Sequence, residues 1–120
     1  DLGRALIVED NLIIALDAEE MLKALGASDI EVVGGVGEAL RRMEGAAVDI
    51  ALLDINLGNE NSAPIAERLT ELGTPFIFTT GYGENSTILE KFPGTPIVAK
   101  PYRREDVERA LGELRSREAD

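Results

Sequence analysis

The chain has 120 residues and a formal net charge of −11, from 12 Lys and Arg against 23 Asp and Glu, and this length suits one folded domain. It contains no Cys and no His, which excludes disulfide frameworks, thiolate nucleophiles, imidazole metal ligands and histidine-based catalytic triads. The acidic excess disfavours binding to nucleic acid or to anionic membranes, no apolar run is long enough to span a bilayer, and we expect a cytoplasmic protein.

Five short apolar segments alternate along the chain with longer segments of helical period, which is typical of repeated βα units. The predicted strands are Ala5–Val8, Ile30–Val33, Ile50–Leu53, Phe76–Phe78 and Ile97–Ala99. The second strand carries Glu31 inside its run, which favours a position at the edge of the sheet. The pattern predicts an α/β fold with a doubly wound parallel sheet, whose ligand site lies beyond the carboxyl ends of the strands.

The first three helices are predicted from apolar stripes and from the residues that begin and end helices. Gly26 is expected to close the first helix, and Ser62 followed by Pro64 is expected to begin the third. The inward-facing residues are predicted to be Leu12, Leu16, Met21, Leu22 and Leu25 in the first helix, Ala39, Leu40 and Met43 in the second, and Ile65, Leu69 and Leu72 in the third.

Two further helices are predicted in the second half of the chain. Residues 84–92 form a weak helix candidate, because Asn85, Ser86 and Thr87 have low helix propensity and a Pro-Gly pair follows. Residues 104–117 form a stronger one. Its inward face is predicted to consist of Val107, Ala110, Leu111 and Leu114.

Polar residues follow the strands at the edge of the sheet where a ligand site is expected. Glu9 and Asp10 follow the first strand, Asp54 the third, Thr80 the fourth and Lys100 the fifth. Three converging carboxylates repel one another unless a cation neutralises them, and Mg²⁺ is a hard ion that prefers such oxygen ligands. Asp54, on the central strand, is suited to attack a phosphorus atom and form an acyl phosphate, with a lysine and a hydroxyl group holding the phosphoryl oxygens.

Structural interpretations of the same residues stay open at this point. Glu9 and Asp10 also suit the N-terminal cap of the first helix. Asn56 is typical of a loop, given the neighbouring Gly58, Asn59 and Asn61, and its side chain is expected to face solvent. Side chains alternate along a strand, so only one of Thr79 and Thr80 can face the site, and we favour Thr80.

With Glu9, Asp10, Asp54, Thr80 and Lys100–Pro101 in this order at the strand ends, the chain resembles the receiver domain of two-component response regulators. The resemblance covers about residues 4–114. It implies a flavodoxin-like fold with strand order 2-1-3-4-5 and a cis bond between Lys100 and Pro101.

The resemblance also implies a role for each matching residue. Asp54 is the phosphoacceptor, Asp10 binds Mg²⁺ directly, Glu9 binds it through water, and Asn56 supplies a backbone carbonyl. Thr80 provides the switch hydroxyl, and Lys100 is the cation that binds the phosphoryl group.

Two features depart from the common receiver pattern. Ile97 stands three positions before the lysine, where many receivers carry an aromatic residue. Residues 75–83 resemble the Phe-Ala-Thr-Gly (FATGUY) subgroup with Thr79 in place of its alanine, and the aromatic residue after the Lys-Pro pair, Tyr102, also matches that subgroup. Tyr82 and Tyr102 are each interpreted as either a packing residue or a contact for a partner.

Members of that subgroup are single-domain regulators or receivers attached to histidine kinases. The resemblance therefore implies a histidine kinase or phosphotransfer protein as donor and a downstream protein as partner, and it leaves a homodimer open. We expect residues 1–120 to form one receiver domain with no effector domain in this chain. Whether it acts alone or belongs to a hybrid kinase stays open.

Two other functions compete with the receiver. A haloacid-dehalogenase-like phosphohydrolase also uses an aspartyl nucleophile and Mg²⁺, but it needs an acid two positions after the nucleophile, where Asn56 stands. A degenerate receiver would serve only as an interaction platform. We favour a functional phosphoacceptor that is not a multiple-turnover enzyme.

Overall fold

The protein is built on a parallel sheet of five strands, with a separate short hairpin. The computed structural model describes residues 2–81 and 87–119. Its strands are β1 (Gly3–Val8), β2 (Ala27–Val33), β3 (Ile50–Asp54), β4 (Asn56–Leu57), β5 (Glu60–Asn61), β6 (Phe76–Thr80) and β7 (Ile97–Ala99). The sheet order is β2-β1-β3-β6-β7, and β4 pairs with β5 antiparallel. The predicted order 2-1-3-4-5 is confirmed, with β6 and β7 as the fourth and fifth strands.

Five helices connect or follow these strands in the described part of the chain. They are α1 (Leu12–Ala24), α2 (Val36–Gly45), α3 (Ala63–Leu72), α4 (Ile88–Lys91) and α5 (Arg104–Ala119). The weak helix predicted over residues 84–92 corresponds to α4, which is a single short turn. Residues 84–86 lie outside the described residues. No helix in residues 2–81 and 87–119 is long and apolar enough to cross a membrane.

The core consists of two apolar layers, one on each face of the sheet. Because side chains alternate along a strand, Leu6 and Val8 of β1 enter one layer while Ala5 and Ile7 enter the other. Residues of α2, α3 and α4 complete the first layer, and residues of α1 and α5 complete the second. Helices on both faces explain why the central strands are apolar at every position.

Several predicted helix details are confirmed. In α5 the four predicted inward residues are buried, and in α2 Ala39 and Met43 are buried. The chain leaves α1 through Gly26, which has a φ of 109°, a conformation that suits glycine.

The predicted apolar stripe of α1 is wrong in part, because Leu12 and Leu16 are 69% and 52% exposed. The buried residues of this helix are Ala15, Ala18 and Leu22, which share a different side of the helix. The buried side of α1 thus includes two alanines, and the larger leucines of its first half remain in solvent.

The predicted face of α3 also needs correction at its end. Leu72 is 49% exposed, although Ile65 and Leu69 are fully buried. Leu72 is the last residue of the helix, and Gly73, with a φ of 72°, turns the chain away directly after it. Ser62 occupies the N-cap position as predicted, but its side chain makes no capping hydrogen bond.

Candidate functional site

Carboxyl groups from two strand ends converge at the predicted edge of the sheet. Glu9 and Asp10 follow β1, and Asp54 ends β3, which is hydrogen-bonded to β1 in the sheet. Each of the three offers a carboxylate oxygen within 4.8 Å of the others. Glu9 and Asp54 are 5% and 2% exposed, whereas Asp10 is open to solvent.

A cavity of about 320 Å³ opens over these groups. Its lining residues are Glu9, Asp10, Asn11, Ile14, Asp54, Asn56, Gly58 and Lys100. The structure thus brings together all the predicted metal-site residues and the predicted lysine.

Lys100 reaches this site from the end of β7 and pairs with both buried carboxylates. Its Nζ donates to Asp54 Oδ2 at 2.8 Å and lies 2.9 Å from Glu9 Oε1. Burial acts to lower the pKa of Lys100, but the hydrogen bonds and charges of Asp54 and Glu9 together outweigh burial and raise it. The ammonium group therefore stays protonated at neutral pH. The peptide bond from Lys100 to Pro101 is cis, as the resemblance implies.

Glu9 is a carboxylate whose charged form is disfavoured by its surroundings. Burial is the largest influence and raises its pKa, and the charge of Asp54 raises it further. Lys100 and the backbone N–H of Asn11, which donates to Glu9 Oε2 at 3.0 Å, act in the opposite direction without cancelling the rise. A second positive charge beside Glu9 would stabilise the charged form.

The helix-cap interpretation of Glu9 and Asp10 is wrong. Asn11 is the N-cap of α1, and its side chain accepts hydrogen bonds from the N–H groups of Ile13 and Ile14. The two acids therefore have no capping function that competes with a role in the site.

The threonines at the end of β6 differ in their surroundings. Thr79 pairs with Asp54 in the sheet register and is 2% exposed, whereas Thr80 pairs with Ala99 and is partly exposed. The main-chain carbonyl of Thr80 accepts a 2.7 Å hydrogen bond from the N–H of Lys100. Thr80 is not among the described residues that line the cavity, and its role as the switch hydroxyl stays a prediction.

Asn56 lies in β4, within a hairpin, where the sequence predicts a loop. Its backbone N–H donates to Asp54 Oδ1 at 3.2 Å, and its side chain is exposed. At the hairpin turn Gly58 has a φ of 73°, and a Cβ there would lie 3.8 Å from Asp10 Oδ2. The Gly58-Asn59 pair between two strand-like residues was the turn signal available in the sequence.

Of the two tyrosines, Tyr102 is buried and packs close to the site. It lines a second cavity, of about 310 Å³, together with Ile14, Met21 and Lys100. Burial raises the pKa of its hydroxyl, and the charges of Glu9 and Asp54 raise it further. These surroundings favour the packing interpretation. Tyr82 lies outside the described residues, and Ile97 is 45% exposed.

The donor set fits a hard divalent cation. It consists of carboxylate oxygens, which Mg²⁺ prefers, and one of them, on Asp10, faces solvent where the ion can keep bound water. Glu9, Asp10 and Asp54 also carry more negative charge than the Lys100 ammonium can neutralise, which favours binding of a further cation.

Comparison with known proteins agrees with this geometry. Residues 5–111 match the family described as response regulator receiver domain. The solution structure of SdrG from Sphingomonas melonis Fr1 is similar with a TM-score of 0.81 and 38% identity, covering 94% of this chain and 96% of that one.

Two curated relatives are longer than this chain. The transcriptional regulatory protein LytR of Staphylococcus aureus is 24% identical over 97% of the chain, and the phyllosphere-induced regulator PhyR of Methylorubrum extorquens is 29% identical over 90%. The matched segments make up 48% and 42% of those proteins, so the chain spans just under half of their length.

Proposed function

The chain belongs to the response regulator receiver family, and from that premise we propose that Asp54 accepts a phosphoryl group from a phosphohistidine on a partner protein. The observation that carries the proposal is the buried Asp54 carboxylate, held 2.8 Å from the Lys100 ammonium beside the Glu9 and Asp10 carboxylates. This sequence contains no histidine, and we propose a histidine kinase or phosphotransfer protein as the donor.

The reaction follows from the contacts of Asp54. One of its oxygens attacks phosphorus, the bond from phosphorus to the donor nitrogen breaks, and the electron pair of that bond returns to the donor imidazole. Lys100 donates a hydrogen bond to Oδ2 of the attacking carboxylate, and the Asn56 N–H donates one to Oδ1, so both oxygens are held in place. The lysine also places positive charge where the transferred oxygens arrive.

Glu9, Asp10, Asp54 and the backbone carbonyl of Asn56 would hold Mg²⁺. When bound, the ion supplies positive charge that offsets the carboxylates and the phosphoryl oxygens. This chain's own residues orient the carboxylate and keep one side of it away from water, since Asp54 is 2% exposed.

The switch that follows phosphorylation is proposed to run through Thr80 and Lys100. Both would move toward the new phosphoryl oxygens and bias the segment over residues 81–96, part of which lies outside the described residues. The output is binding to a downstream protein in the cytoplasm, and a homodimer is compatible with it. We also propose membership of the FATGUY subgroup, supported by the sequence over residues 75–83 and by Tyr102.

Mass spectrometry of the intact protein tests the proposal. The chain is incubated with Mg²⁺ and acetyl phosphate, or with a phosphorylated kinase, and we expect the mass gain of one phosphate. Asp54→Asn should abolish the gain. Asp49→Asn, which changes another aspartate at the opposite end of β3, should retain it. No gain with either donor would refute the proposal.

Multiple turnover on small phosphate esters would distinguish a phosphohydrolase from a phosphoacceptor. Receiver domains act in signalling as phosphoacceptors, and the residue two positions after Asp54 is Asn56, which cannot transfer a proton as a general acid. We expect phosphate release from small phosphate esters to stop short of multiple turnovers.

A further inference from the structure

In neither α2 nor α3 does the N-cap residue cap the helix with a side-chain hydrogen bond. Gly35 is the N-cap of α2 and has no side chain to offer. Ser62 is the N-cap of α3, and its Oγ is buried without a hydrogen-bond partner. The first N–H groups of both helices therefore need acceptors from elsewhere.

The hairpin strand β5 supplies both acceptors. The N–H of Val36 donates to Glu60 Oε1 at 3.4 Å, and the N–H of Ala63 donates to Asn61 Oδ1 at 2.9 Å. Consecutive residues of one strand thus bind the starts of two different helices.

The other strand of the hairpin, β4, contacts the phosphoryl site. Asn56 donates its N–H to Asp54 Oδ1, and Leu57 is 6% exposed and packs in the core. Asn56 pairs with Asn61, and Leu57 pairs with Glu60. A ladder of two residue pairs is only marginally stable by itself, so the position of Asn56 depends on what fixes β5.

We infer that Glu60 and Asn61 are positioning residues for the phosphoryl site. By binding the first turns of α2 and α3, they hold β5, and through it the backbone of Asn56, in place beside Asp54. The inference rests on the proposed function in taking Asp54 as the phosphoacceptor. It extends that function to two residues whose own side chains do not line the cavity.

The first test uses the metal-free protein. Amide hydrogen exchange by NMR is compared between the unmodified chain, Glu60→Ala and Asn61→Ala. We expect the Asn56 amide to exchange about five-fold faster in each variant, the size of effect expected from loss of one helix cap. Asn59→Ala, at the turn of the same hairpin, should leave it unchanged.

The second test measures Mg²⁺ affinity by titration calorimetry at a temperature where every variant is folded. Glu60→Ala and Asn61→Ala should each weaken binding by roughly ten-fold, as loss of residues that orient metal ligands does. Glu60→Gln keeps an acceptor oxygen and should restore most of the affinity. Glu67→Ala removes an equal charge from the exposed side of α3 and should have no effect.

The outcomes separate this inference from the proposed function. Unchanged exchange at Asn56 and unchanged Mg²⁺ affinity in both alanine variants would overturn the inference while leaving phosphorylation of Asp54 intact. Equal losses in Glu60→Ala, Glu60→Gln and Glu67→Ala would overturn it too, because charge alone would then explain the effect. Absence of phosphorylation in the unmodified chain would refute the proposed function without altering the exchange result.

Discussion

Replacing Lys100 by methionine is expected to destabilise the folded protein by about 3 kcal/mol at neutral pH in the presence of a chelator. The Lys100 ammonium lies 2.8 Å from Asp54 and 2.9 Å from Glu9, whose side chains are 2% and 3% exposed. Methionine preserves most of the side-chain volume but leaves two buried carboxylates facing each other without a counter-charge.

The magnitude follows from burial. Breaking a buried ion pair costs about 3–5 kcal/mol, and the lower end applies because the lysine side chain keeps 16% exposure. An unfolding entropy of about 2.1 cal/mol/K per residue over 120 residues amounts to about 0.25 kcal/mol/K. The variant should therefore melt about 12 °C below the unmodified chain.

The deficit should shrink on acidification. Burial raises the pKa of Glu9 in the folded chain above its value in the unfolded chain, so the folded state binds that proton more tightly and gains relative stability as the pH falls toward the raised pKa. Loss of Lys100 raises this pKa further, because the lysine opposes the rise. The difference between the two proteins should thus be largest at neutral pH and smaller at a pH near the ordinary glutamate pKa of 4.5.

Thermal unfolding followed by circular dichroism measures both effects, with Lys91→Met as the control because that lysine is exposed on α4. The control should melt within about 2 °C of the unmodified chain, as surface substitutions do. A Lys100→Met variant whose melting temperature is unchanged would refute the argument that Lys100 stabilises the two buried carboxylates. The same loss of melting temperature at both pH values would refute it too.

Two further substitutions test local features by urea unfolding. Gly112→Ala, inside α5 where an added Cβ would meet open space, should stabilise the protein by about 0.5–1 kcal/mol, whereas a loss would show that this helix is not regular there. Ser62→Ala removes a buried hydroxyl without a partner and should be neutral or stabilising by up to about 1 kcal/mol; a loss above about 1 kcal/mol would show that the hydroxyl caps α3 after all.

Much of the fold follows from local patterns in the sequence. Continuous apolar runs at Ala5–Val8 and Ile50–Leu53 predict buried parallel strands, and the charge in the Ile30–Val33 run predicts an edge strand; the structure confirms these. The predicted α1 stripe is wrong in part, since apolar size is a poor guide when alanines face the sheet and leucines face solvent. The hairpin after Asp54 carries a turn signal in Gly58-Asn59, but each of its strands has only two residues, too few to show an alternating pattern.

The chemical groups of the site follow from the sequence alone, because a parallel sheet brings the residues after its strands to one edge whatever the details of packing. How those groups pair depends on the three-dimensional fold. Lys100 lies 46 positions from Asp54 in the chain yet contacts it directly, and the first N–H group of α2 is capped by Glu60, 24 positions away, rather than by its own N-cap residue. Such contacts depend on the relative placement of several elements, which no local pattern encodes.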